Sequence, residues 1–378
     1  AAEACGIPKI EEFNRGDNFG NSYFQMNQKR GTRWSASRGF LKPAMARPNL
    51  TVYTNALTRQ LLTDTTEGRV SAKGVRVQLG STGLQDITAR REVLLATGSI
   101  GSPQLLQLSG IGPGRLLQEA GVPVRHDLPG VGENLQDHLQ IRTIYKVNNT
   151  VTLNQRYNSL IGKAAMGLEY LLFKKGPLTM PPSQLGAFAR SDPEQSSANM
   201  EWHVQPLSLD KFGDPLHPFN AITPSVCNLR PTSRGHVRIR DNAVDTDPAI
   251  TLNYLSTQED QAVAVAGLKY TRRIMAADVL APFAPEEWLP GLQVESEEEM
   301  VSAAGDLGTT IFHPVGTCKM GSDLAAVVDD RLKVRGVDRL RVIDASIMPT
   351  ITSGNTNAPT VMIAEQGARF VLADAGGS

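Results

Sequence analysis

One histidine lies in the stretch FHPVGTCKMG (312–321), beside a proline and five residues before a cysteine. An imidazole titrates near neutral pH, so His313 could act as a general base, ligate a metal or pack as a core residue. Apart from Cys318, no His, Asp or Glu stands at ligand spacing, which disfavours a metal site. The residue type alone therefore leaves catalysis and a structural role open.

The composition indicates a globular protein that acts on small molecules. The chain has 378 residues, 40% of them hydrophobic and 20% charged, which is enough for two domains with a buried core. Lys plus Arg and Asp plus Glu both number 38, so no basic excess predicts a nucleic-acid partner. The composition thus favours an enzyme without net charge that acts on small molecules over a nucleic-acid-binding protein.

The cysteines indicate a reducing compartment. Cys5, Cys227 and Cys318 are far apart and form no C-x-x-C, so we predict neither a disulfide framework nor a zinc site. Cys227 and Cys318 are expected to be buried and inert. No apolar run reaches the length of a membrane span. We therefore expect a protein of the cytoplasm or the periphery of the inner membrane, without a transmembrane segment.

Strands and a helix near the start predict part of a cofactor-binding sheet. LTVYT (50–54), GVRVQL (74–79) and REVLLAT (91–97) read as strands, the last carrying an apolar run typical of a strand buried on both faces. The segment TGSIGSPQLLQLSG follows, with Ser102 predicted to cap a helix that begins at Pro103. A strand, a Gly-rich turn and a helix form the unit that holds a cofactor at the carboxyl edge of a doubly wound sheet.

The middle of the chain predicts a second domain. Residues 139–308 carry strands of alternating polarity and two helices, near 156–174 and 257–275, which indicates an antiparallel sheet covered by helices. In NMEWHVQPL, Glu201 and His203 share one strand face, and we expect His203 to be exposed. The fold class is therefore α/β, or α+β overall. A discontinuous, doubly wound domain (1–138 and 309–378) carries an inserted substrate domain (139–308).

Six segments in order resemble the glucose–methanol–choline (GMC) family of flavin oxidoreductases, and are similar to its choline and alcohol dehydrogenases. They are GTRWSASRGFLKPAMARPNLTVYTNA (31–56), ATGSIGSPQLLQLSGIG (96–112), PGVGENLQDH (129–138), LRPTSRGHVRIR (229–240), HPVGTCKMG (313–321) and RVIDASIMPTITSGNTNAPTVMIAEQGA (341–368). The family's G-x-G-x-x-G turn, which binds the ADP part of FAD, is missing here. The resemblance thus implies a longer parent protein, whose preceding segment is cleaved, omitted or supplied by a second chain.

The resemblance also implies the site. His313 takes the place of the family's base, and Asn355 takes that of a second active-site residue that holds the substrate oxygen. For Asn355 the alternative is a turn residue after Gly354, and for Asp344 it is a turn or helix cap. The residues implied to bind FAD are Leu57, Thr97, Gly98, Asp344, Ala345, Asn357 and Thr360, with Asn357 expected to cap the last helix.

The function implied is the oxidation of a primary or secondary alcohol to its carbonyl, with hydride transfer to flavin N5 and His313 as base. A quinone, a carrier or oxygen is the expected electron acceptor. Two alternatives stay open: a flavin-containing lyase of the hydroxynitrile type, and an inactive remnant or binding protein without FAD. Hydrolase signatures such as G-x-S-x-G and H-E-x-x-H do not occur.

Overall fold

The computed structural model describes residues 1–80, 83–181, 183–211 and 213–376. Its helices are α1 Lys42–Ala44, α2 Gly98–Leu108, α3 Gly114–Glu119, α4 Leu153–Asn158, α5 Leu160–Phe173, α6 Gln258–Met275, α7 Glu297–Leu307 and α8 Asn357–Gly376. Its strands are β1 Gly20–Tyr23, β2 Gln28–Lys29, β3 Thr32–Arg33, β4 Ala56–Thr66, β5 Arg69–Leu79, β6 Leu84–Thr88, β7 Val93–Leu95, β8 Ile111–Gly112, β9 His126–Asp127, β10 Leu139–Ile141, β11 Ile144–Lys146, β12 Leu185–Ala189, β13 Met200–Gln205, β14 Ala221–Asn228, β15 His236–Arg238, β16 Ala249–Thr251, β17 Glu286–Leu289, β18 Gly308–Thr310, β19 Val337–Asp338 and β20 Leu340–Val342. The mixed α/β class is confirmed.

The contacts divide the chain into two compact units. The first unit comprises Ala1–Val52, Leu139–Leu229 and Thr257–Thr310, and the second comprises Tyr53–His138, Arg230–Ser256 and Ile311–Ser378. This division differs from the predicted domains in two segments. Residues 1–52 join the first unit because β1 pairs with β12. Residues 230–256 join the second because the Gln107 side chain on α2 bonds the backbone of Val237 and Ile239.

The first unit is built on an antiparallel sheet in the order β1-β12-β13-β14-β10-β18. Helix α6 covers one face: Trp202 is 1% exposed and its Nε1 donates to Thr271 Oγ1 at 2.8 Å. Thr257 caps α6 by accepting from the Asp260 amide, close to the predicted helix start. The other face carries His203, which is only 7% exposed, so the expectation of an exposed His203 is wrong.

The second unit contains a hairpin and a parallel pair of strands. Strand β5 pairs antiparallel with β4 and β6 and parallel with β19. The predicted strand 74–79 is confirmed within β5, whereas 50–54 is not a strand and β4 begins only at Ala56. The parallel pair is β7–β20, with Val93 opposite Leu340 and Leu95 opposite Val342. This pair is the element that positions the candidate site.

Helices α2 and α8 pack beside the β7–β20 pair. Leu95, Leu106, Val342, Ile347 and Ile363 lie in one buried core. Helix α8 lies close to β20, since a Cβ added at Gly367 would be 2.6 Å from Ile343 Cγ2. The prediction that β7 is buried on both faces is wrong, because Leu94 is 46% exposed.

Within the described part of the chain, no helix combines the length and the apolar character needed to cross a membrane.

Candidate active site

His313 lies in a loop that α2 and the 3₁₀ turn Ala345–Ile347 hold in place. Ser99 Oγ on α2 donates to the Pro314 carbonyl at 2.6 Å, and the Cys318 amide donates to the Ser346 carbonyl at 2.9 Å. Phe312 has a φ of 65°, a left-handed conformation that a non-glycine residue adopts only when its surroundings impose it. The loop therefore fixes where His313, which is 8% exposed, directs its ring.

A carboxylate and a second imidazole surround His313. The His313 amide donates to Asp137 Oδ1 at 2.9 Å, and the Tyr254 hydroxyl makes a short hydrogen bond to Asp137 Oδ2. The Nδ1 atoms of His138 and His313 lie 3.0 Å apart, with the two rings 81° from coplanar. His138, Asp137 and Tyr254 are not among the site residues predicted from the sequence. The acid–histidine pair in PGVGENLQDH is the signal that could have indicated His138 and Asp137.

Asn355 meets His313 across 42 residues of sequence. Its Nδ2 lies 3.5 Å from His313 Nε2, which is a long contact for a hydrogen bond. Two atoms at this separation can both lie about 3 Å from one hydroxyl oxygen. The structure thus brings the two predicted catalytic side chains within 3.5 Å of each other.

The contact with Asn355 also indicates the tautomer of His313. An amide nitrogen can only donate, so His313 Nε2 accepts and its ring proton sits on Nδ1. That Nδ1–H then donates to His138 Nδ1. In this arrangement the lone pair of His313 Nε2 faces the Asn355 amide, and this nitrogen is the one that can take up a proton.

Asp344 joins the ends of the two parallel strands. Its Oδ2 accepts from the Gly98 amide at 2.9 Å and from Ser102 Oγ at 2.6 Å. Its Oδ1 accepts from the Ser346 amide at 2.8 Å and from Ser346 Oγ at 2.5 Å. A carboxylate offers about four acceptor positions, and here residues of the chain itself occupy all four. Asp344 thus holds the two turns in place, which favours the cap over a direct cofactor ligand.

The turns held by Asp344 carry three of the predicted cofactor residues. Thr97 is exposed, whereas Gly98 and Ala345 are half-buried. Helix α2 begins at Gly98, so the prediction of a start at Pro103 with Ser102 as its cap is wrong. Ser102 instead donates to Asp344 from inside the helix.

The remaining predicted cofactor residues lie in two places. Asn357 is the first residue of α8, so it does not stand before the helix as a cap. Thr360, one turn later, donates its hydroxyl to the Thr356 carbonyl at 2.7 Å. Leu57 lies in a different sheet, on β4, where its side chain is 43% exposed.

The strand ends carry residues predicted to bind the cofactor, and their position suits a dinucleotide such as FAD. Thr97 and Gly98 follow β7, and Ala345 follows β20, so all three lie at the carboxyl ends of parallel strands, where dinucleotides bind. A Cβ added at Gly98 would meet nothing within 4 Å, so the space beside this turn is open. The first amides of α8 offer N–H donors and a positive dipole end to an anionic group.

A groove of about 1230 Å³ lies elsewhere in the second unit. Its lining includes Leu94, His126, Gly336, Arg339 and Val371, and none of the predicted site residues. The candidate active site is therefore formed by His313 with Asn355, His138 and Asp137, and it does not lie in this groove.

Relatives of known name match nearly the whole chain. It is 40% identical over 362 residues to the alcohol dehydrogenase [acceptor] of Pseudomonas putida, covering 96% of this chain and 65% of the relative. It is 38% identical over 374 residues to the oxygen-dependent choline dehydrogenase of Photobacterium profundum, covering 98% of this chain and 65% of the relative. The chain thus spans about two thirds of the length of the curated relatives it matches.

Solved structures share the fold. Pyridoxine 4-oxidase from Mesorbium loti superposes with a TM-score of 0.84 at 30% identity, over 97% of this chain and 67% of that one. Formate oxidase from Aspergillus oryzae RIB40 superposes with a TM-score of 0.90 at 24% identity, over 98% of this chain and 68% of that one. Two family profiles described as GMC oxidoreductase match residues 1–140 and 231–364. The chain belongs to the GMC oxidoreductase family.

Proposed function

We propose that this chain carries the catalytic residues of an FAD-dependent oxidation of a primary or secondary alcohol to its carbonyl. One observation supports this most directly: His313 Nε2 lies 3.5 Å from Asn355 Nδ2 while His313 Nδ1 lies 3.0 Å from a second imidazole. The names of the relatives, an alcohol dehydrogenase and choline dehydrogenases, favour the same chemistry.

Asn355 and His313 have different roles toward the hydroxyl group of the substrate. Asn355 Nδ2 donates to the substrate oxygen and fixes its position. The hydroxyl proton passes to the lone pair of His313 Nε2. FAD, when bound, supplies the acceptor for the hydride that leaves the same carbon. Loss of the proton to His313 and of the hydride together converts the alcohol to a carbonyl compound.

His138 and Asp137 act through His313 and are positioning residues. After proton uptake the ring of His313 is an imidazolium, and its Nδ1–H still donates to His138 Nδ1. Asp137 holds the His313 backbone amide, and Tyr254 holds Asp137. These contacts hold His313 Nε2 in one position while the proton is transferred.

Thr97, Gly98, Ala345 and the first turn of α8 are the residues that would hold the flavin portion of FAD. Asp344 holds the turns that carry these residues, because its carboxylate accepts hydrogen bonds from the amides of Gly98 and Ser346. We further propose a quinone, a carrier or oxygen as the electron acceptor, because the relatives' names specify both an acceptor and oxygen.

Anaerobic mixing with alcohols tests the proposal. The purified chain is loaded with FAD, and a panel of primary and secondary alcohols, choline included, is added without oxygen. We expect the oxidised flavin absorbance to fall, and the rate to drop by about 10²–10⁴-fold in His313→Ala. His236→Ala, a histidine on β15 of the same unit, is the matched control and should keep the wild-type rate.

Three results would contradict the proposal. One is a chain that binds no FAD; another is bound flavin that no alcohol bleaches. The third is a His313→Ala variant whose flavin is reduced as fast as that of the His236→Ala control.

A further inference from the structure

A second polar cluster lies in the first unit, on the sheet face opposite α6. Strand pairing places Cys227 of β14 directly opposite Glu201 of β13, and Ser225 opposite His203. Residues two apart on a strand, and residues paired across strands, share a face of the sheet. Glu201, His203 and Cys227 therefore converge on one side, and the exposed fractions of their side chains are 0%, 7% and 1%.

Several buried polar atoms on this face have no hydrogen-bond partner among the described residues. These atoms are Gln140 Oε1, Glu201 Oε1, His203 Nε2, Gln205 Oε1 and Ser225 Oγ. A buried polar group without a partner is costly and rare in native proteins. Glu201 Oε1 and His203 Nε2 contact each other at 3.3 Å without forming a hydrogen bond, and together with the other three atoms they indicate that the cluster faces a ligand.

The spacing of the donor atoms favours a metal ion as that ligand. His203 Nε2 lies 3.3 Å from Glu201 Oε1, and Cys227 Sγ lies 4.0 Å from Glu201 Oε2. One donor atom from each of Glu201, His203 and Cys227 lies within 4.8 Å of the other two. Ligands bonded to zinc at about 2.0–2.3 Å in a tetrahedron stand about 3.3–3.8 Å apart.

We propose that Glu201, His203 and Cys227 bind one divalent transition-metal ion of the zinc class. A carboxylate, a neutral imidazole and a thiolate suit a borderline-soft cation, and their two negative charges balance its charge in a buried setting. Cys227 releases its proton to solvent on binding. Three protein ligands leave a fourth position open for water or an added ligand. This site lies outside the residues assigned to alcohol oxidation.

Neighbouring residues orient the ligands. The ring of Phe24 stacks on His203, with the centroids 5.0 Å apart and the planes 23° from parallel. Gly186, opposite His203 on β12, leaves room for this ring, because an added Cβ would lie 2.1 Å from Phe24 Cζ. Gln140 lies opposite Cys227, where its Oε1 can accept from a metal-bound water. His203 is the most exposed of the three ligands, at 7%.

Cobalt(II) provides the test because a thiolate ligand gives bound cobalt an intense near-ultraviolet charge-transfer band. The chain is freed of metal with a chelator and titrated with Co²⁺. We expect the band to saturate at one ion per chain, to vanish on addition of Zn²⁺, and to be missing in Cys227→Ser. The control Cys5→Ser, which removes a thiol near the start of the chain, should keep the band. Glu201→Gln should weaken binding by about tenfold or more.

The wild-type titration decides the proposal even if a variant fails to fold. A folded wild-type chain that gives no band with excess Co²⁺ would overturn it, as would a band that persists in Cys227→Ser. Circular dichroism of each variant shows whether a lost band reflects a lost ligand or a lost fold.

Discussion

The Nδ1 atoms of His138 and His313 lie 3.0 Å apart, and only one of them can carry the proton between them. The Asn355 amide nitrogen, 3.5 Å from His313 Nε2, favours placing that proton on His313. His138 is fully buried and its own Nδ1 must then accept. With the proton on His313 Nδ1, the lone pair of His313 Nε2, which we propose as the proton acceptor, faces the Asn355 amide.

The first prediction concerns His138 as a positioning residue. In His138→Asn the amide oxygen can still accept from His313 Nδ1–H, whereas His138→Leu offers no acceptor. We expect kcat for alcohol oxidation to fall about tenfold or more in the leucine variant, to recover in large part in the asparagine variant, and KM to change little in either.

Nitrogen-15 NMR of the imidazoles provides a readout independent of turnover. We expect wild type and His138→Asn to show His313 protonated at Nδ1, and His138→Leu to lose that preference. An unchanged His313 tautomer in a folded leucine variant would show that His138 plays no positioning role.

The sequence predicted the pair His313–Asn355 because each side chain stands in a local motif of the family, so no knowledge of tertiary contacts was needed. His138 was missed because its role depends on a contact over 175 residues that no spacing reveals. The pairing of Cys227 with Glu201 was missed for the same reason: strand register is a property of the folded sheet. Helix α7 is also absent from the sequence prediction, although Ser296 and Glu299 form a capping box whose pattern can be recognised in the sequence.

A second prediction follows from the saturated carboxylate of Asp344. In Asp344→Asn one oxygen becomes a donor NH₂ group that faces the donors on Gly98 and Ser102 or on Ser346. We expect the free energy of unfolding to fall by about 2 kcal/mol or more, because a buried charged acceptor is lost and donors are left unpaired. Urea unfolding measures this loss. Ser346→Ala removes one donor while the carboxylate stays, and it should cost about 1 kcal/mol. Equal losses in the two variants would contradict the central role given to Asp344.

Acid stability depends in part on Asp374 near the end of α8. Hydrogen bonds from Lys333 and then from Arg341 hold the pKa of this carboxyl well below its usual range. A carboxyl whose folded pKa is depressed stabilises the fold fully above its unfolded pKa of about 3.9, and this contribution is lost as the pH falls from there towards the folded pKa. We expect the free energy of unfolding of Asp374→Asn to decrease less than that of wild type as the pH falls below about 4. Asp306→Asn, a change at an exposed position on α7, serves as the control. If the free energy of unfolding falls as steeply below about pH 4 in Asp374→Asn as in wild type, the role given to Asp374 is refuted.

The last prediction concerns the reactivity of Cys318, five residues after His313. This thiol is completely buried, and burial together with the nearby charge of Asp344 raises its pKa well above that of a free thiol. Because the thiolate is the reacting species, alkylation of the native chain at pH 8 should leave Cys318 unmodified while the more accessible Cys5 reacts. Mass spectrometry of peptides from native and urea-unfolded samples measures both sites. In urea Cys318 should react as readily as Cys5, since its protection comes only from the fold. Modification of Cys318 in the native chain at a rate near that of Cys5 would mean that the loop carrying His313 opens to solvent, and that the fixed orientation assigned to the imidazole does not hold.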